Sequence, residues 1–325
     1  MNQKRIHPAW IAAGITWFTL VASAGYRSAP SVLIVPLEDS FGWSRSQISL
    51  AISINILLYG LTAPFAAALM ERFTVRKVVM SALAAVSLGA FLTIFMSKPW
   101  HLILLWGAVV GIGTGSMALV FAATIASRWF MQRRGLVVGA LTAAAATGQL
   151  IFLPLLSKLA MDHGWKSVSI TIAASAAIVI PLIWWGLNEH PQDIGHKPYG
   201  APADWVAPEK IQGRAAKNAI NALKAGSKRK DFWLLFGSFF ICGLSTNGLI
   251  GTHFIPAAHD HGMGEVVAAS LLAMIGVFDV VGTLFSGYLT DRIDSRKLLF
   301  AYYSLRGLSL MILPSILFEI GRAHV

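Results

Sequence analysis

Three ionisable side chains lie inside long apolar stretches of this 325-residue sequence, and they are its candidate chemical groups. Arg27, Asp279 and Arg306 each sit in a window that otherwise carries almost no charge. An ion at the centre of a bilayer costs roughly 2.5–3.5 kcal/mol on insertion scales, so such residues usually face a polar interior. Arginine presents a planar set of donors that suits a carboxylate, and an aspartate can carry a proton. The three residues predict an internal site for an anion and a proton.

The stretches that enclose these residues indicate a membrane protein. Apolar residues make up 56% of the chain and charged residues 13%, about half the charged share of a soluble domain. Crossing the hydrocarbon layer takes about 20 residues, and lipid-exposed backbone must be helical or in a closed barrel. We predict an all-α polytopic protein with about nine spans, at 9–35, 48–70, 78–97, 102–127, 135–157, 167–187, 232–255, 266–290 and 298–318.

The basic residues predict which ends of the spans face the cytoplasm. If every span crosses once, nineteen of the 26 Lys and Arg residues fall on the side of the N-terminus and only four on the other. Basic loops stay on the cytoplasmic side, so we expect the N-terminus to be cytoplasmic. The same distribution accounts for the net charge of +11 without a nucleic-acid partner.

A shift of 220 residues brings matching positions of the chain together. The matched positions are Pro36 and Pro256, Gly42 and Gly262, Glu71-Arg72 and Asp291-Arg292, and Arg76-Lys77 and Arg296-Lys297. Such internal repeats build many transporters. We therefore predict an N-terminal six-helix half (1–187), a cytoplasmic linker (188–231) with a surface helix at 208–225, and part of a second half (232–319).

The end of the chain prompts a separate expectation. A second half that matches the first should have six spans, whereas three follow the linker. Residues 320–325, Ile-Gly-Arg-Ala-His-Val, resemble an in-frame translation of a sequencing adapter. We expect a truncated reading frame that ends in an artefact; the alternative is a genuine short form with a polar tail.

Several loop motifs give the chain a family resemblance. The loop after the second span reads Glu71-Arg72-Phe73-Thr74-Val75-Arg76-Lys77, and further motifs are Phe41-Gly42-Trp43-Ser44-Arg45, Arg128-Trp129-Phe130, Arg133-Arg134-Gly135, Gly164-Trp165-Lys166 and Pro191-Gln192-Asp193-Ile194-Gly195. The sequence resembles the major facilitator superfamily, and within it the bacterial members of the monocarboxylate and oxalate/formate transporter branch. Thr74 departs from the usual glycine of the loop motif.

The resemblance implies a fold of six plus six helices around a central cavity, with about nine helices present here. It also implies gating loops, formed by Glu71, Arg72 and Arg76 and, in the second half, by Asp291, Arg292 and Arg296. Their carboxylates could latch neighbouring basic loops. The alternative is that these charges only enforce membrane topology.

The resemblance places the embedded charges around a substrate. Arg27 and its repeat mate Asn247 would approach the substrate from opposite halves, Arg306 is a further anion ligand, and Asp279 is the candidate for proton coupling. The alternatives are that Arg27 snorkels to outer headgroups and that Arg306 only pairs with Asp279. The branch's arginine four residues after the aspartate is replaced by Thr283.

Weaker polar and small-residue signals complete the prediction of a site. Asn55 and Gln149 also lie within spans and could line the cavity. The glycines Gly107, Gly111 and Gly115 recur every four residues, as in a helix-packing face. No metal site is expected at His259-Asp260-His261, and no cofactor or catalytic motif is recognisable.

These expectations define one function and two alternatives. We predict a secondary active transporter of a small organic anion, a carboxylate, that alternates access and is coupled to protons. We expect a monomer in the bacterial inner membrane. The alternatives are an exporter of amphipathic, drug-like compounds and a membrane sensor that does not transport.

Overall fold

The computed structural model describes residues 7–117, 119–207, 215–290 and 293–323, which form a bundle of long helices. This confirms the predicted fold class. The nine long helices are α1 (Pro8–Phe41), α2 (Arg45–Phe73), α3 (Val75–Thr93), α4 (Pro99–Trp129), α5 (Arg134–His163), α6 (Trp165–Gly186), α7 (Lys230–Asp260), α8 (Glu265–Thr290) and α9 (Ser295–Ala323). In the described part of the chain, α1 to α8 are long and apolar enough to cross a membrane. Helix α9 coincides with the ninth predicted span.

The helices run alternately between two ends of the bundle. We call the end where α1 begins the near end, and the end where α1 finishes the far end. At the far end, α1 stops at Gly42 (φ 65°), and α7 is followed by Gly262 (φ 84°). Both glycines adopt left-handed backbone, which glycine reaches without a steric cost. The repeat seen in the sequence therefore extends to the backbone conformation.

Helix α2 begins with a reciprocal cap that the sequence Ser-Arg-Ser-Gln encodes. The hydroxyl of Ser44 accepts a hydrogen bond from the backbone N–H of Gln47, and the Gln47 amide oxygen accepts one from the N–H of Ser44. This arrangement satisfies two backbone donors that would otherwise lack partners. It fixes the start of α2 at Arg45, with Ser44 as the cap residue just before the helix.

The glycines of α4 form the predicted packing face. A Cβ built on Gly107, Gly111 or Gly115 would lie 2.7–3.1 Å from the backbone of α2, at Ala51, Asn55 and Tyr59 respectively. Small residues are needed where two backbones approach this closely. These contacts hold the backbone of α2 against α4 at Asn55 and at Tyr59, which lies one turn later.

Helix α5 makes two further close approaches. A Cβ on Gly148 would lie 2.3 Å from the carbonyl oxygen of Val21 in α1, so α1 and α5 touch backbone to backbone. A Cβ on Gly276 in α8 would lie 3.1 Å from the carbonyl oxygen of Ala146. Helix α5 thus packs against a helix of each half.

The segment between α6 and α7 begins with an ordered stretch, from Pro191 to Tyr199, that packs against the end of α4 and the start of α1. After a 3-10 turn at Pro191–Ile194, the carbonyl oxygen of Tyr199 accepts hydrogen bonds from the N–H groups of Met131 and Gln132. The Tyr199 ring also lies edge-on to Trp10 and His7. A helix at Ala215–Gly226 follows; the predicted helix began at 208, and residues 208–214 lie outside the described part of the chain.

Candidate substrate cavity

A cavity of about 230 Å³ lies between the two halves, near the middle of the helices. Helices α1, α2 and α5 contribute one wall, and α7 and α8 contribute the other. Its polar lining is formed by Arg27, Ser28, Asn55, Tyr59, Gln149, Thr246, Asn247, Thr252 and Asp279. The predicted positions Asn55, Gln149 and Asn247 therefore do line a cavity.

Arg27 spans the cavity from one half to the other. Its Nη2 donates a hydrogen bond to Oδ1 of Asn247 at 3.1 Å, and its Nη1 lies 3.5 Å from the Tyr59 hydroxyl. The guanidinium carbon stands 4.8 Å from the centre of the Tyr59 ring, a cation–π distance. The side chain points into the bundle, which differs from the alternative of snorkelling to headgroups.

No carboxylate neutralises Arg27 within the described residues. Its partners are an amide oxygen, a phenol and an aromatic ring, and no ion pair includes it. An arginine held by neutral groups keeps its positive charge and retains donors for an anion.

Asn247 is aimed at Arg27 by an irregular stretch of α7. The helix becomes π-helical at Leu244–Ile250, and the Thr252 hydroxyl donates to the carbonyl oxygen of Asn247 at 2.6 Å. Such π-turns occur frequently at functional sites, where they rotate side chains out of regular register. A run of Gly243, Gly248 and Gly251 around Ser-Thr-Asn is the only trace of it in the sequence.

Asp279 also lines the cavity, but the pair with Arg306 that the sequence left open as an alternative is not formed. Asp279 has no hydrogen bond or ion pair among the described residues. Arg306 instead donates to Sγ of Cys242 at 3.0 Å and to the hydroxyl of Thr246. Its predicted place in the cavity lining is taken by Thr246, which lies between Arg306 and the cavity. Two hydrogen-bond acceptors on α7 therefore hold Arg306 away from Asp279.

Tyr59 is a cavity residue that the sequence analysis missed. It lies one helical turn after Asn55, whose side-chain amide donates to the carbonyl oxygen of Trp106 at 2.7 Å. Trp106 belongs to a π-helical stretch of α4, Ile103–Val110. The four-residue spacing of two polar side chains in α2 was the signal available.

The far end of the bundle is closed by Arg45, which the sequence analysis named only as the last residue of a loop motif. Arg45 binds Glu38 of α1 through two contacts of 3.0 Å, and Asp260 of α7 through contacts of 2.6 and 3.3 Å. The side chains are 23–46% exposed. Arg45 thus joins the first half to the second. Asp260, the acidic residue of the His-Asp-His sequence, is engaged in this ion pair.

At the near end, the gating residues occupy less connected positions than expected. Glu71 forms no hydrogen bond or ion pair within the described residues, while Arg72 lies over the Phe73 ring and Arg76 over the Trp184 ring. The backbone N–H of Arg296 donates to Asp294. Asp291 and Arg292 lie outside the described residues.

The ion pair at this end joins Arg128 to Glu189, neither of which was singled out as a gate. Glu189 also accepts a hydrogen bond from the N–H of Val75 at 2.7 Å, so one carboxylate caps α3 and holds the end of α4. Anionic groups are stabilising at helix N-termini. In this structure the carboxylate that joins two helix ends here is therefore that of Glu189.

Thr74 shows why its position favours glycine. Its backbone has φ 91° and ψ 144°, a region that residues with a Cβ rarely adopt. Its hydroxyl compensates in part by accepting from the N–H of Lys77.

Comparison with protein families assigns the whole bundle to one group. Residues 16–320 match the model described as "Major Facilitator Superfamily". An uncharacterized MFS-type transporter of Bacillus subtilis (strain 168), YcxA, is 28% identical over 94% of this chain and 71% of its own length. Monocarboxylate transporter 11 of Mus musculus is 27% identical over 93% of this chain and 64% of its own length. The chain spans about two thirds of these relatives.

Solved structures show the same fold at low sequence identity. A bacterial homolog of the human lysosomal transporter Spinster, inward-facing and unoccupied, superposes with a TM-score of 0.66 at 17% identity, over 90% of this chain and 64% of the other. The xylose transporter XylE of E. coli, partially occluded and inward open, gives 0.59 at 13% identity, over 88% and 74%.

Proposed function

The chain belongs to the major facilitator superfamily, and from that premise we propose that it is a secondary active transporter of a small carboxylate. Its family and relatives identify a membrane transporter and not an enzyme. The names of several relatives specify monocarboxylates, which suggests the substrate class. The proposed setting is the bacterial inner membrane, as a monomer.

The observation that carries this proposal is the guanidinium of Arg27 in the cavity between the halves. Its positive charge is held by neutral hydrogen-bonding groups and forms no ion pair with a described carboxylate. A carboxylate can bind two of its donors at once, in a charge-assisted contact stronger than one between neutral groups. Asn247 and Tyr59 hold the guanidinium in place, which lowers the cost of ordering it when the anion arrives.

Alternating access would use the contacts at the far end. With the N-terminus in the cytoplasm, as the basic loops favour, Arg45 and Asp260 lie on the outer side and hold that side closed. Opening requires these contacts to break and the halves to rock about the cavity. Asp279 is the proposed carrier of a coupled proton, because it lines the cavity and has no cationic partner among the described residues.

Counterflow in liposomes tests the proposal directly. Liposomes that contain the purified protein and are loaded with unlabelled pyruvate or oxalate should accumulate the same acid, added outside in labelled form. Arg27→Gln should abolish this accumulation, whereas Arg134→Gln, which removes an exposed charge at the near end, should leave it within twofold.

The outcomes separate the alternatives. Counterflow of amphipathic cations that survives Arg27→Gln would favour the exporter. Properly folded protein that gives no counterflow with any solute would favour a sensor, and the proposal would be wrong.

A further inference from the structure

The cavity contains two opposite charges, neither of which forms an ion pair within the described part of the chain. Arg27 and Asp279 both line it, yet no ion pair within 4.0 Å joins them. Arg27 is held by neutral groups, and Asp279 has no hydrogen-bond partner among the described residues. A substrate therefore meets a cation on the wall of the first half and an anion on the wall of the second.

The residues around Asp279 give it no cation of their own. The positions one turn away on α8 are Ile275, Gly276, Gly282 and Thr283, none of which is basic. The arginine of the neighbouring helix, Arg306, is directed to Cys242 and Thr246 instead. The charge of Asp279 is thus available to whatever enters the cavity.

A plain carboxylate fits only half of this arrangement. Its oxygens can bind Arg27, but its negative charge then shares a small cavity with the carboxylate of Asp279. Like charges repel strongly where water is partly excluded. A ligand that carries an ammonium group beside its carboxylate satisfies both walls and is electrically neutral overall.

We propose that the substrate is a small zwitterion, an ammonium carboxylate of the amino-acid class. This inference rests on the proposed function and narrows it. The carboxylate binds Arg27, and the ammonium group donates to Asp279. The ammonium occupies the position at Asp279 that a coupled proton would take, so the two exclude each other at that carboxylate.

The size of the cavity agrees with a short molecule. Its volume of about 230 Å³ is below the roughly 300–1,000 Å³ of pockets that hold drug-sized ligands. The apolar part of the lining includes Ile52, Ile56 and Ala145, which suits a short hydrocarbon skeleton. Because the two charges lie on different halves, a zwitterion would also join the walls that Arg27 and Asn247 already connect.

Acids matched in carbon skeleton and differing only in the ammonium group test the inference. Purified full-length protein is titrated with propionate, alanine, β-alanine, butyrate and γ-aminobutyrate, with thermal stabilisation and counterflow as readouts. At least one amino member should bind ten times more tightly than its plain counterpart, a difference of about 1.4 kcal/mol. The positional isomers report which charge spacing the cavity accepts.

Variants then assign the preference to a residue. Asp279→Asn should abolish the advantage of the amino acid while binding of the plain acid is kept or improved. The control Asp162→Asn removes an exposed carboxylate at the end of α5 and should change neither. Arg27→Gln should weaken both members of each pair.

Equal or tighter binding of the plain acid in every pair would overturn the inference and leave carboxylate transport standing. Persistence of the amino-acid preference in Asp279→Asn would overturn it as well. If no acid of either kind binds or exchanges, the proposed function fails together with the inference.

Discussion

The guanidinium of Arg27 and the amide oxygen of Asn247 meet at 3.1 Å across the cavity, and the two residues are repeat mates, 220 positions apart. A contact between equivalent positions of two repeats lies where the halves face each other symmetrically. The same offset relates Gly42 to Gly262, which share left-handed backbone. Duplication has thus placed a cation on one half and its hydrogen-bond acceptor on the other.

Converting the acceptor into a carboxylate should block the site. In Asn247→Asp the new carboxylate pairs with Arg27, so we expect carboxylate binding to weaken at least tenfold while the thermal midpoint stays level or rises. Binding by calorimetry and unfolding by fluorescence check the two effects. Gln149→Glu adds the same charge to the same cavity elsewhere, and equal losses in both variants would contradict the assignment.

Breaking the far-end contact between the halves should open that end. Asp260→Asn removes the cross-half partner of Arg45, and exposed pairs are worth about 0–1 kcal/mol each. We therefore expect a thiol reagent added from the far-end side to label a cysteine introduced at Ala146 severalfold faster. Glu38→Gln is the matched control, since it removes a contact within the first half. Equal effects from both variants would contradict a role in joining the halves.

Relieving the turn between α2 and α3 should stabilise the protein. Thr74→Gly removes strain of order 1–3 kcal/mol at φ 91° and gives up a hydroxyl cap, a loss of a few tenths of a kcal/mol when glycine replaces it. The thermal midpoint should rise by about 2 °C. Thr74→Ala keeps the strain and loses the cap, so it should lower the midpoint; a rise there would refute the explanation.

Glu189 and Glu71, both at the near end, should contribute differently to the free energy of unfolding. Glu189→Gln leaves Arg128 without its carboxylate in a site where both side chains are less than 20% exposed, so we expect a loss of about 2–3 kcal/mol. Glu71→Gln removes an exposed carboxylate and should cost under about 1 kcal/mol. Denaturant titration of both variants compares them, and the reverse order would restore Glu71 as the latch.

Acidic pH should lower the stability of the protein through His7, at the start of α1. Burial, reinforced by the neighbouring His196, lowers the pKa of His7 below its usual 6.5, and its Nδ1 accepts a hydrogen bond from the N–H of Ala9. The folded state then binds fewer protons than the unfolded state, so stability falls as the pH drops below about 6.5 and is level above it. His7→Asn keeps a cap without a titrating group and should remove this part of the pH profile. An unchanged profile would exclude His7 as the cause.

The sequence predicted the parts of the fold that follow from hydropathy and small-residue spacing. The helices agree with the predicted spans because apolar length is a sufficient signal in a membrane. The face formed by Gly107, Gly111 and Gly115 followed from a four-residue period. Arg27 and Asp279 could be expected to face a polar interior because embedded charges are costly, whereas Asn247 was placed opposite Arg27 by the repeat and the family resemblance.

The contacts between side chains were harder to predict because they depend on local backbone geometry. The π-helical turn at Asn247 and the contacts of Arg306 with Cys242 and Thr246 leave almost no pattern in the sequence. Arg45 and Glu189 lie at helix ends, where many charges are available and only the tertiary packing selects partners. Charge counting predicts which helix ends face the cytoplasm, but it cannot select the partners of individual ion pairs.

The approach of Gly148 to the carbonyl of Val21 restricts how this molecule can move. Because the backbones touch with no side chain between them, α1 and α5 cannot slide past each other. A conformational change that exposes Arg27 to either side of the membrane must therefore move α1 and α5 as one rigid unit. The pivot for that movement would be the contact between Gly276 of α8 and Ala146 of α5.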